Sequence, residues 1–153
     1  YVPNDTYKPT EEIIEKLVDV VSKGGNFLLN IGPGPDGELD SVAYVRLREI
    51  GEWMDVNSEA IYTSRMLTAS GESNTIRYTQ SKDSSTFYVF FSEFPEGKVA
   101  LKQLHLNGDY SMKMLGSSKS IKFNSTDKGT TLQLPASLKK QGKHVWVVKV
   151  SKQ

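Results

Sequence analysis

The run Lys23-Gly24-Gly25-Asn26-Phe27-Leu28-Leu29-Asn30-Ile31-Gly32-Pro33-Gly34-Pro35-Asp36-Gly37 holds a helix end, a short apolar segment and a tight loop within fifteen residues. The pattern predicts one βα step of a larger barrel. A strand over residues 26–31, following a helix directly, is the parallel kind, which needs cover on both faces and cannot reach its neighbour through a hairpin. Such a strand implies others that this chain does not contain. A start on Tyr1 rather than methionine points the same way, toward a processed or truncated chain.

The 153 residues, 37% hydrophobic and 24% charged, suffice for one ordinary core or two small modules. The longest apolar runs span about five residues, such as 87–91, far short of the roughly 20 that cross a bilayer. No membrane association is expected. With a net charge of +1 and lysines that read as scattered rather than striped, no nucleic-acid partner is expected either. The chain has no cysteine, which excludes disulfides, thiolate nucleophiles and cysteine-held metals. Two sequons, Asn4-Asp5-Thr6 and Asn124-Ser125-Thr126, match a glycan acceptor pattern that also arises by chance.

The chain changes character near residue 65. Before it, Ile13, Ile14, Leu17, Val18 and Val21 share one face of a helix over about residues 10–23, with Thr10 as N-cap and Gly24-Gly25 as terminator. After the short strand, Ser41 is placed to cap a second helix with Ala43, Leu47, Ile50, Trp53 and Met54 on its buried side. Beyond it, strands are expected over 75–80, 86–94, 98–106, 111–115, 120–124, 130–134 and 144–150, separated by Gly, Pro, Asn, Asp and Ser clusters. The expected fold is therefore α/β then all-β. Residues 1–66 would supply the last βα steps of a (β/α)8-like barrel, and residues 67–153 an antiparallel β-sandwich of about seven strands.

Alternation places Asn26, Leu28 and Asn30 on one strand face and Phe27, Leu29 and Ile31 on the other. The apolar face should meet helices. Asn30, nearest the C-terminal end, would then stand at the rim that carries active sites in such barrels, where it either touches a ligand or satisfies neighbouring backbone groups. Pro33 and Pro35 have no N–H to donate and no P-loop lysine follows, so the glycine-rich loop is no phosphate cradle. Asp36, Glu38 and Asp40 lack EF-hand spacing and suit a turn and a helix start instead. His105 and His144 fall in expected strands without metal-ligand neighbours, and no metal or other cofactor is implied. Phe87, Tyr88, Phe90 and Phe91 suit a sandwich core better than a sugar platform.

The ordered run over residues 17–33, followed by Asp36-Gly37, Gly51-Glu52-Trp53 and Asn57-Ser58-Glu59-Ala60-Ile61-Tyr62, closely resembles the α-L-fucosidases of glycoside hydrolase family 29. The likeness spans about residues 1–67. It includes Tyr1 and Tyr7-Lys8, which look like the stretch after a Trp-Gly pair in those enzymes, and departs at Ser58, where glycine is frequent. The resemblance implies the C-terminal part of a retaining exo-α-L-fucosidase acting on fucosylated glycans. Its aspartate nucleophile and acid/base would lie upstream, so no catalytic residue is expected in this chain and Asn30 is the single substrate-binding candidate. The implied partner is the upstream catalytic portion, with homo-oligomerisation as another way to cover the open strand. Export to a periplasmic, extracellular or lysosomal setting is expected. The alternative is a non-catalytic carbohydrate-binding or structural β-sandwich module.

Overall fold

A computed structural model describes residue 2 and residues 5–153. Tyr1 and Asn4, which carry the opening of the family likeness and the first sequon, lie outside the described residues.

Helix α1 (Thr10–Ser22) buries Ile13, Ile14 and Val18, and half-buried Leu17 and Val21 pack beside the same core. Its start differs from expectation. Pro9 holds the N-cap position in an extended conformation, while Thr10 is buried in the first turn with its hydroxyl donating to the Glu49 carboxylate. Proline has no N–H to lose and a fixed φ, so it suits a helix entrance, and Thr10 is free to link two helices. At the other end Gly24 sits at φ 77°. Its N–H donates to Val21 O and that of Gly25 to Val20 O, both at 2.9 Å, a paired closure that needs a left-handed residue.

Residues 26–31 form no strand, which corrects the sequence expectation. They pair with no strand among the described residues. A strand is defined by its ladder, and a parallel ladder needs a second parallel strand. All the strands described here are antiparallel. Helix α2 (Ser41–Asn57) follows, capped by Asp40 rather than Ser41, with the Asp40 carboxylate accepting from Val42 N–H at 3.0 Å. Ala43 and Trp53 are buried, Ile50 and Met54 half-buried, and Leu47 exposed. The short helix α3 (Glu59–Tyr62) leads into the sheets.

The described residues form eight strands: β1 (Ser64–Gly71), β2 (Ile76–Ser81), β3 (Thr86–Phe91), β4 (Lys98–Leu101), β5 (Tyr110–Met114), β6 (Phe123–Thr126), β7 (Gly129–Gln133) and β8 (Trp146–Lys152). They make a five-stranded sheet, β1-β2-β3-β8-β5, and a three-stranded one, β4-β7-β6. β1 was missed from sequence because none of its residues is fully buried, so it lacks an apolar alternation. β4 stops at Leu101, yet Leu104 and Leu106 still enter the core from the loop beyond it. His105 and His144 lie in loops rather than strands, the latter at φ 63°.

The large sheet is covered on both faces. Tyr78, Val89 and Val148 stand in register across β2, β3 and β8 and point into the sandwich with Leu101, Met112 and Leu132. One residue along, Tyr88, Phe90 and Val147 point outward and meet Ile14, Val18, Trp53, Ala60 and Ile61 of the helices. That double cover explains the unbroken apolar run at 87–91, since alternation appears only where one face meets water. Phe91 joins the inner core and Tyr88 and Phe90 the outer one, so the cluster is core rather than sugar platform, as expected. Polar links fasten the helices to the sheet. Trp53 Nε1 donates to Val145 O at 2.8 Å, Thr79 Oγ1 to Ala60 O at 3.0 Å, and the Arg77 guanidinium to Asp19 at 2.8 Å.

Candidate functional site

The segment 26–31, which pairs with no strand, keeps the two-sided character that its sequence predicts only in part, since Leu29 of the expected covered face is 38% exposed. Phe27 and Leu29 border an apolar hollow of about 230 Å³ against Ile13, Leu17, Ile50 and Met54, and Phe27 and Ile31 are half-buried. Asn26, Leu28 and Asn30 are exposed, Leu28 to 80%. The apolar side is met by α1 and α2, not by the sandwich.

Asn30 itself borders a second cleft of about 350 Å³, between residues 5–8, the Leu29–Gly32 backbone and the first half of α2. Arg46 closes one wall. Its Nε donates to Lys8 O at 3.1 Å and its Nη1 to Glu49 at 3.2 Å, which ties the leading segment to α2. The hydroxyl of Thr10, with Arg46 second, holds the Glu49 carboxyl below its usual range. Arg46 was not singled out from sequence, and a lone arginine on a helix carries no signal that could have done so.

The loop after Asn30 is closed by its own backbone. Gly34 N–H donates to Glu38 O at 2.7 Å, Gly37 N–H to Gly34 O at 3.0 Å and Glu38 N–H to Asp36 Oδ1 at 3.1 Å. Tyr44 Oη donates to the Glu38 carboxylate at 3.0 Å, and this bond raises the tyrosine pKa. Asp36 therefore shapes a turn, Glu38 anchors the loop to α2 and Asp40 caps that helix, as the turn reading of these acids anticipated. Among the described residues no three His, Asp or Glu side chains gather in a metal-binding arrangement.

A family model described as alpha-L-fucosidase matches residues 1–59, and one described as alpha-L-fucosidase C-terminal domain matches residues 71–151. The chain belongs to the α-L-fucosidase family. It is 37% identical over 126 residues to the tissue alpha-L-fucosidase of Homo sapiens, covering 81% of this chain and 27% of that protein. The plasma alpha-L-fucosidase of Rattus norvegicus is 34% identical over 134 residues, with 29% of its length covered. Among solved structures, a Thermotoga maritima alpha-fucosidase in complex with a mechanism-based inhibitor superposes with a TM-score of 0.86 at 27% identity, over 99% of this chain and 37% of that one. Isoenzyme 1 from Paenibacillus thiaminolyticus gives 0.84 at 26% identity, over all of this chain and 37% of that one. The chain thus spans less than two-fifths of the fucosidases it matches.

Charge is divided sharply along the chain at about residue 97, inside the second family segment, which the reading of scattered lysines overlooked. Residues 1–97 carry eight Lys and Arg against sixteen Asp and Glu, whereas residues 98–153 carry eleven Lys against only Asp109 and Asp127. Counting by segment rather than over the whole chain finds this at once.

Proposed function

We propose that this chain is the C-terminal portion of a retaining exo-α-L-fucosidase that removes terminal α-L-fucose from glycans. Residues 1–66 complete a (β/α)8-like barrel and residues 67–153 brace it. The observation that carries this reading is the segment 26–31, bordered by helices at half-buried Phe27 and Ile31 and partly exposed Leu29, and open on the Asn26, Leu28 and Asn30 side. In a closed barrel the open side faces the interior and the edges pair with neighbouring strands. The family match over residues 1–59 and the TM-score of 0.86 support the same placement.

Retention at the anomeric carbon needs two carboxyl groups about 5 Å apart, one attacking carbon and one protonating the leaving oxygen. Both belong to the upstream portion, which this chain joins as its partner. This chain supplies Asn30, an amide able to donate to and accept from sugar hydroxyls at the barrel rim, on a segment that borders α1 and α2. The substrate is a fucosylated glycan, the reaction uses no cofactor, and the enzyme acts outside the cytoplasm. In the complete enzyme, Asn30→Ala should raise the Michaelis constant or lower turnover for a nitrophenyl α-L-fucoside. Unchanged values of both would remove Asn30 from the site.

A further inference from the structure

Five of the eleven lysines of residues 98–153 stand in or beside one groove. A hollow of about 630 Å³ runs between the Phe94–Gly97 turn, the 120–122 link and the 3₁₀ helix Ala136–Gln141. Lys122 and Lys139 border it. Lys119 reaches the same 3₁₀ helix, its Nζ donating to Ser137 Oγ at 3.2 Å, and exposed Lys140 adjoins Lys139. Exposed Lys98 stands in register with Gln133, another bordering residue, on the outer face of the small sheet. Of these ammonium groups those of Lys122 and Lys139 border the groove itself, Lys140 faces the neighbouring cleft beside Gly142 and Lys143, and the carboxylates at hand are Glu96 in the lining and exposed Glu93 next to Phe94.

The floor is apolar and rigid. Pro95, Pro135 and Ala136 line it with Phe94, which packs edge-on to Trp146 at 5.4 Å, and Trp146 Nε1 donates to Lys139 O at 3.1 Å. Pyrrolidine and alkyl surface beside ammonium groups suits a ligand with C–H faces and spaced anionic substituents. The strand-tracking sites that take nucleic acid instead offer successive open aromatic faces for the bases.

We propose that this groove binds an anionic polysaccharide, a sulfated or uronic-acid glycan, and holds it to the sandwich. The choice of a glycan over another polyanion rests on the fucosidase reading. On a longer chain of acidic sugars, it would keep the enzyme on a polymer whose fucosyl ends are cut elsewhere.

Binding of the 153-residue chain to dextran sulfate and to uncharged dextran of equal length tests this without any turnover, so its failure is distinct from failure of the fucosidase reading. Dextran sulfate should bind and dextran should not, with affinity falling steeply as salt rises past about 0.1 M. Lys122→Gln with Lys139→Gln should weaken binding at least about tenfold at low salt while the melting curve is unchanged. Lys128→Gln, at the far end of β7, should change it less than about twofold. Equal binding of both dextrans, an equal loss on Lys128→Gln, or displacement by single-stranded oligothymidine at matched charge concentration would overturn the proposal.

Discussion

Trp53 is the residue that most tightly couples the helices to the sheet. Its ring fills the outer core beside Phe90 and Val147, and its N–H is bonded to Val145 O with 5% of the residue exposed. Trp53→Phe keeps an aromatic ring but leaves that carbonyl without its donor, so stability should fall by about 1–3 kcal/mol in urea denaturation. Tyr88 gives a pH signature nearby. Burial, then the Glu59 carboxylate that also binds Lys149 at 2.7 Å, pushes its pKa up to about 12 from the ordinary 10.0. A tyrosine kept neutral by folding adds stability that is complete below pH 10 and is lost as pH rises through about 12. The variant Tyr88→Phe cannot ionise in either state, so its stability should decline less than the parent's between those limits. At the acid end, hydrogen bonds from Ser81 and Ser85 lower Asp83 to about 2, so its contribution is present above the ordinary carboxylate range and lost as pH falls toward 2. Urea midpoints of Asp83→Asn and the parent should converge there.

At the scale of elements, the segment 26–31 separates what a local pattern determines from what depends on a second strand. Its alternation alone predicted which side chains turn to the helices, and Phe27 and Leu29 do border α1 and α2. It forms no ladder, against the strand expected from sequence, because pairing is a property of two strands and the local pattern carries nothing about a second. The same distinction explains the other differences. β1 was missed because half-buried strands give no period, the cap at Asp40 displaced Ser41 because both offer a side-chain oxygen, and Thr10 gave up the cap position to Pro9 and bonds Glu49 instead. The aromatic run and the Gly24-Gly25 stop were legible because burial on two faces and a left-handed closure each leave a local mark. In hydrogen exchange of this chain, amides of residues 26–31 should exchange within seconds to minutes, at the low-stability end. Those of β3 and β8, central in a sheet covered on both faces, should be the last to exchange. Slow exchange at 26–31 in a monomer would mean the segment is paired within the chain and that the barrel reading is wrong.

For the whole molecule, the question is why two cores sit back to back on one sheet. The inner core is closed by the small sheet, and the outer one by α1, α2 and α3, so the sandwich and the helices stabilise each other. Nothing comparable covers Leu28 and Tyr62, which remain 80% and 76% exposed. A chain with one satisfied side and one apolar, ladderless side should fold yet remain ready to associate, since exposed apolar surface and an unpaired segment both favour a complementary chain. Purified alone, it should release no nitrophenol from an α-L-fucoside above background. Mixed with a polypeptide comprising the upstream portion of the same enzyme, it should form a one-to-one complex by size measurement and recover fucosidase activity. Leu28→Asp, which places a charge on the open face without touching either core, should abolish that recovery while leaving the chain's own melting curve intact. If the Leu28→Asp chain complements as well as the parent, the open face is not where the upstream portion docks. If the chain alone turns over substrate, the catalytic carboxylates lie within these 153 residues and not upstream.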